Sequence, residues 1–201
     1  VPREHLLIFA GVLNNTVESS EDTKVVRQVR DVFVHEGYDH GTYINDIAIL
    51  KVSPGFPTDN PAVKPIPLRP DVLPDGLICT VSGWGSLGDA EDTMPEILQV
   101  VKVPFITYDT CRHKYNYTEK SIEPGMICAG YPDGGKDACG GDSGGPLQCD
   151  GLLTGVVSWG EGCALPNYPG VYTDVAYYRE WIERQLLESE FFLETDCHSI
   201  T

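Results

Sequence analysis

Lys136-Asp-Ala-Cys-Gly-Gly-Asp-Ser-Gly-Gly-Pro-Leu147 decides how the rest of the chain is read. Four of its twelve residues are glycine, and one serine sits among them. Glycine loses more conformational freedom on ordering than any other residue, so a run this rich in it marks a need for positive φ or close backbone approach. The stretch reads as a tight, exposed loop presenting Ser143, with bare N–H groups at Gly141 and at Ser143 itself. A hydroxyl beside two convergent N–H donors suits acyl transfer. The hydroxyl attacks a carbonyl, and the N–H pair holds the oxygen that becomes negative. A turn with an incidental serine is the bland reading of Gly-Ser-Gly alone.

Composition sets the frame around that loop. A chain of 201 residues can form one large all-β unit or two small domains. Apolar residues make up 41%, enough for a packed core, and 21 Gly with 15 Pro favour short strands joined by many turns. Fourteen Lys and Arg against 30 Asp and Glu leave a net charge of −16. That argues against a nucleic-acid partner or an anionic membrane, and weakly favours cationic substrates, because salt screens the field. No apolar run reaches the length of a membrane span.

Seven cysteines, none in C-x-x-C or Cys/His zinc spacing, read as a disulfide framework from an oxidising compartment, hence a secreted, extracellular protein. Two glycosylation sequons, Asn14-Asn-Thr16 and Asn116-Tyr-Thr118, fit that compartment. The first residue is Val1 rather than Met, which reads as a processed chain or a fragment. Arg3 followed by the apolar run Leu6 to Leu13 imitates a signal peptide, but the run is short and no small-residue cleavage site follows, so a buried strand is expected.

The heptapeptide Gly141-Asp-Ser-Gly-Gly-Pro-Leu147, followed by an apolar strand, resembles the nucleophile loop of the trypsin/chymotrypsin family of serine endopeptidases. Asn45-Asp-Ile-Ala-Ile-Leu-Lys51 is similar to the same family's motif around its catalytic aspartate, and Leu77 to Gly85 follows its strand ending in a Gly/Trp turn. The resemblance covers residues about 6 to 187. It implies an all-β fold of two six-stranded Greek-key barrels, the N-terminal one incomplete, plus a C-terminal helix. Residues 1–70 would hold the incomplete barrel and a Pro-rich linker, 71–188 the second barrel and helix, and 189–201 a tail that matches nothing in the family. Along the chain, strands are expected at 6–13, 25–34, 77–85, 98–106, 152–159 and 169–174, with a short helix near 108–117. Asp174 is expected to cap an amphipathic helix carrying Val175, Tyr178, Ile182 and Leu186 on one face.

Roles follow by resemblance, residue by residue. Ser143 would be the nucleophile, Asp46 the carboxylate that orients a catalytic histidine, and the N–H groups of Gly141 and Ser143 the oxyanion hole. Asp137, six residues before Ser143, stands where trypsins keep the acid that binds Arg or Lys. Ser158, Trp159, Gly160 and Gly170 match the walls of that pocket, and glycine at both wall positions leaves room for a long side chain. Tyr115 fits the same pattern, whereas Gly140 replaces a common glutamine at the pocket mouth. The implied partners are polypeptides with Arg or Lys at the cleavage site, and protein inhibitors. The implied disulfides are Cys79–Cys149, Cys111–Cys128 and Cys139–Cys163, with Cys197 left over. No cofactor is implied. Many trypsins bind calcium in the loop corresponding to 14–22, but Val12 stands where that loop would begin with Glu, so a solvated acidic loop is expected despite Glu18, Glu21 and Asp22.

Two family features have no counterpart. The base histidine should precede Asp46 in an Ala-Ala-His-Cys-like context, and none of His5, His35, His40, His113 or His198 has it. His35 and His40 read instead as exposed loop residues. Nor does Val1-Pro-Arg match the Ile/Val-Val-Gly-Gly start whose amine would pair with Asp142 and set the oxyanion hole. Because the missing parts form one block, the expectation is a copy of a working protease that lacks its first strands and is inactive alone. The alternative is a non-catalytic homologue serving as a binding or regulatory module.

Overall fold

The computed structural model describes residues 5–16, 20–88, 93–114 and 121–196. Nine strands and two helices follow one another in the order β1 Leu7–Ala10, β2 Val25–Val34, β3 Ala48–Ser53, β4 Ile78–Gly83, β5 Gln99–Ile106, α1 Tyr108–Lys114, β6 Met126–Ala129, β7 Pro146–Cys149, β8 Leu152–Trp159, β9 Gly170–Asp174 and α2 Arg179–Asp196. β4–β9 close into a barrel in the order β4-β5-β6-β9-β8-β7, every neighbouring pair antiparallel. β1–β3 form a separate three-stranded antiparallel sheet. The fold is therefore mostly β with one closed six-stranded barrel, a second smaller sheet and a C-terminal helix, as the sequence leads one to expect.

The barrel closes because its strands carry inward apolar residues in the right register. Val81, Val103, Phe105, Ile127, Leu147 and Tyr172 meet in one core with Cys79 and Cys149. The Cys79–Cys149 bridge crosses that core, joining β4 to β7. Cys111–Cys128 fastens α1 to β6, and Cys139–Cys163 ties the nucleophile loop to the segment after β8. All three are the pairings implied by the resemblance. Cys197 and Tyr115 lie outside the described residues.

The small sheet is packed differently. Among the residues of β1–β3 only Val29 is buried. Val32 pairs with Leu50 and Val34 with Ala48, so these side chains share one face, and Val34 is 56% exposed and Leu50 44%. The other face meets the barrel through Ile49, which packs with Ile47 against Val175, Tyr178, Trp181 and Ile182. The linker holds the sheet's exit to β8: Arg69 N–H donates to the Leu153 carbonyl, and the buried Arg69 guanidinium donates to the Cys149 carbonyl at 2.8 Å.

The last helix begins later than its pattern suggests. Asp174 Oδ1 does accept the Ala176 N–H, as a cap should. The Val175 N–H, however, donates to the Thr154 carbonyl of β8, which keeps the chain on the barrel, and residues 175–178 form turns before α2 starts at Arg179. Val175, Tyr178 and Ile182 are buried as expected, with Trp181 added to their face, whereas Leu186 is exposed. α2 runs on past Glu188, where the apolar pattern stops, to Asp196.

Candidate active site

The nucleophile loop is built by its glycines. Gly141 has φ +95° and Gly144 φ +83°, conformations a β-carbon would strain. They turn the chain so that the Asp142 N–H donates to the Cys139 carbonyl and the Gly145 N–H to the Asp142 carbonyl. The Gly144 N–H then donates to Val157 O, and the Val157 N–H returns a bond to Gly145 O, pinning the loop to β8. Ser143 is left exposed at the apex, and its Oγ has no hydrogen-bond partner among the described residues. Neither the Gly141 nor the Ser143 N–H finds an acceptor among them. These are the two donors that the sequence marks as an oxyanion hole.

Asp142 points the opposite way from Ser143, into the protein. Its carboxylate accepts the Gly85 N–H at 2.8 Å on Oδ1 and the Cys139 N–H at 3.0 Å on Oδ2. A β-carbon on Gly83 or Gly85 would overlap that carboxylate, which gives the Gly-Trp-Gly turn after β4 its physical reason. Beside Asp142 a cavity of about 410 Å³ opens between this turn, β5 and the 135–139 segment.

On the other side of the loop lies a cleft of about 310 Å³, with Ser143 on its wall together with Ser158, Trp159, Gly160, Gly170 and Asp137. The structure thus brings Asp137, Ser158, Trp159, Gly160 and Gly170 to one cleft, with Gly140 beside them. Asp137 is half-buried, and its oxygens accept the N–H groups of Ala138 at 2.8 Å and Ala164 at 3.0 Å. Burial pushes its carboxyl up to about 6, against the N–H groups of Ala164, Ala138 and Gly170 that favour the anion; the nearby Asp142 charge adds to the rise. A β-carbon at Gly170 would lie 2.5 Å from Asp137 Oδ1, so glycine there is what keeps the carboxylate accessible. At Gly160 the nearest atom to such a carbon is the Gly162 carbonyl oxygen at 3.2 Å. The Tyr172 hydroxyl, on the same cleft, is buried with no hydrogen-bond partner among the described residues. No described cationic side chain forms an ion pair with this carboxylate.

Asp46 is brought to the cleft by hydrogen bonds that join the small sheet to the barrel. Ser158 Oγ donates to Asp46 Oδ2 at 2.6 Å, and Thr173 Oγ1 donates to the Asp46 carbonyl at 2.6 Å. Next to it, the Tyr178 hydroxyl donates to Asn45 Oδ1 at 2.9 Å, and Asn45 sits at φ +57°, a conformation asparagine tolerates. Ser158, expected only as pocket wall, thus also fixes the aspartate. Thr173 and Tyr43 escape the sequence reading altogether. The Tyr43 ring lies over Trp159 at 6.4 Å and 22° and forms part of the cleft. Its place three residues before Asp46 is the one signal that could have found it.

Histidines stand elsewhere. His35 is half-buried rather than exposed, its ring tilted over Trp181 at 5.1 Å and edge-on to Tyr178 at 5.5 Å, while Nδ1 accepts the Gly37 N–H. His40 is exposed beside Tyr38 and Tyr43. No described histidine makes a hydrogen bond to Ser143 or Asp46; His198 lies outside the described residues. In the 14–22 loop, the Glu21 carboxylate accepts the N–H groups of Leu13 and Asn14. These bonds close the loop internally. Glu18 lies outside the described residues.

Comparison with known proteins agrees with this geometry. The family model described as Trypsin matches residues 7–182. Trypsin eta of Drosophila melanogaster is 45% identical over 162 residues, which cover 80% of this chain and 61% of that protein. Trypsin of Xenopus laevis is 41% identical over 86% of this chain and 69% of its own length, and Trypsin-1 of Astacus astacus 44% identical over 89% and 74%. The chain spans only part of these relatives, less than two thirds of Trypsin eta. A nucleophile-type loop, a half-buried aspartate on the wall of the same cleft and a second aspartate held by β8 and β9 agree with the extent of that likeness: the chain belongs to the trypsin family of serine proteases.

Proposed function

We propose that the complete protein is an extracellular endopeptidase that cleaves polypeptides after Arg or Lys through an acyl-enzyme. The observation that carries this reading is Asp137, a desolvated carboxylate at one end of a cleft whose wall also holds Ser143. A guanidinium or ammonium entering between Gly160 and Gly170 would pair with Asp137 and lay its carbonyl beside Ser143. Ser143 Oγ would attack that carbonyl while the Gly141 and Ser143 N–H groups receive the oxyanion. The Ser143 proton would pass to a histidine carried elsewhere in the full protein and oriented by Asp46, and that histidine would protonate the departing amine. Water would then release the acyl group by the same steps. The cavity beside Asp142 is suited to an apolar N-terminal residue whose amine pairs with that carboxylate. Three disulfides favour an oxidising compartment, and no helix among the described residues is long and apolar enough to cross a membrane. Protein inhibitors that present Arg or Lys would occupy the same cleft.

Residues 1–201 alone are expected to be inactive, because Ser143 has no base among the described residues and loss of the base costs roughly 10⁶ in turnover in a related mechanism. That same observation favours the second reading, a non-catalytic binding module. One experiment separates them. The full-length protein, with any propeptide removed, is assayed on Arg, Lys and Phe chromogenic esters and with a serine-directed phosphonate, beside Ser143→Ala and Asp137→Ser. Turnover of Arg and Lys esters, lost with Ser143→Ala and largely lost with Asp137→Ser, supports the protease. A preference for Phe sinks the specificity, and a full-length protein with neither turnover nor labelling leaves the binding module.

A further inference from the structure

We propose that Asn14 carries an N-linked oligosaccharide. The proposal rests on the extracellular reading above. Asn14-Asn-Thr16 is an acceptor sequon, and its middle residue is not proline. The loop holds the acceptor amide by its oxygen and leaves its nitrogen: Asn14 Oδ1 accepts the Thr16 N–H at 2.8 Å, while no described residue accepts a hydrogen bond from Nδ2. That nitrogen is also not among the side-chain atoms sealed from solvent without a partner. The backbone beneath is firmly set. The Asn14 N–H donates to Glu21 Oε1, the Asn15 N–H to the Glu96 carbonyl, and the Leu98 N–H to the Leu13 carbonyl. A glycan on Nδ2 therefore replaces no hydrogen bond made by the described residues.

What surrounds the site gives the modification something to do. Leu13 is 60% exposed, and Ile97, bridged to Asn14, is 52% exposed. A hydrated oligosaccharide rooted between them covers apolar surface that the fold leaves in water. The chemistry balances with a polyprenyl-pyrophosphate oligosaccharide as donor. The Asn14 Nδ2–C1 bond forms, the C1–oxygen bond to pyrophosphate breaks with its electron pair leaving on the pyrophosphate, and one amide proton is released. No redox partner is needed.

The test is peptide mapping of the native protein, alkylated before unfolding and treated with a peptide N-glycosidase in heavy-oxygen water. Recovery of residue 14 as labelled aspartate is expected. Unlabelled Asn14 in protein whose Cys79–Cys149 bridge is intact overturns the proposal and leaves the extracellular reading standing. Unlabelled Asn14 with both of those cysteines alkylated overturns the two together. A second arm isolates this sequon from Asn116-Tyr-Thr118, which lies outside the described residues. The Thr118→Ala chain, translated behind a secretory leader with endoplasmic-reticulum microsomes, should show one glycosidase-sensitive shift that is lost when Thr16→Ala is added. A Thr118→Ala chain with no shift refutes the assignment whatever its folding, because the sugar is transferred before the fold is complete.

Discussion

Acidifying the solution from pH 8 to pH 5 should weaken the binding of a benzamidinium ion to this chain about tenfold, and to pH 4 about a hundredfold. The reason is Asp137. Burial raises its carboxyl from an ordinary 3.8 to about 6, and only the anion pairs with a cation. Each unit below 6 therefore costs about 1.4 kcal/mol of binding, because a proton must leave before the ligand can pair. The sign for folding runs the other way. The folded form holds its proton more tightly than the unfolded one, so ionised Asp137 lowers stability above pH 6 and this cost fades as pH falls toward 3.8. Weakened binding in acid therefore cannot be assigned to this group unfolding the pocket. Titration calorimetry in two buffers of different ionisation enthalpy is the assay, with near-ultraviolet circular dichroism to confirm the fold at each pH. At pH 5 binding should release close to one proton, and at pH 8 almost none. Asp137→Asn should bind weakly with no dependence on pH. Affinity that stays flat from pH 8 to pH 4 in the unaltered chain would refute the account of a desolvated carboxylate on the cleft wall.

Three further outcomes are expected. Gly170→Ala places a β-carbon against Asp137 Oδ1 and should cost about 1–3 kcal/mol of benzamidinium affinity with the barrel intact; unchanged affinity by calorimetry would mean that the ligand does not reach Asp137. Ser158→Ala leaves Asp46 Oδ2 without its donor and should lower stability by about 1–3 kcal/mol in urea unfolding followed at β3, an effect that Ser158→Thr, which keeps the hydroxyl, should partly reverse. Hydrogen exchange should be faster in β1–β3 than in β4–β9, because the small sheet has one buried residue where the barrel has a full core; equal protection would show that the sheet is covered in solution.

Residues close in sequence were the readable ones. Asp137, Gly141 and Ser143 share one loop, and its resemblance to the family's nucleophile loop is what implies a cleft with a charge and a hydroxyl on its wall. Glycine at 83, 85 and 170 was readable as a motif, although its cause, the carboxylates of Asp142 and Asp137 lying against those α-carbons, needed coordinates. The hydrogen bond from Ser158 to Asp46 spans 112 positions and leaves no local trace. Tyr43 belongs to the cleft only because the 38–46 loop folds over β8. His35 was misjudged for a similar reason. Its sequence neighbours Val34 and Glu36 give no sign of burial, but its neighbours in space are Tyr178, in the turn before α2, and Trp181, in the first turn of that helix. The start of α2 was misplaced because the bond from Val175 to Thr154 outweighs helical periodicity over a single turn.

The bond from Ser158 to Asp46 also makes the aspartate handed. One lone pair of Oδ2 is already taken from the β8 side, so a newcomer that needs this carboxylate approaches the side left open by Oδ1 and the remaining lone pair of Oδ2. The barrel fixes which side that is before any imidazole arrives. A ring donating an N–H there would meet a carboxylate whose orientation is already set. The orientation of a carboxylate is in this way stored in the fold before any partner reaches it.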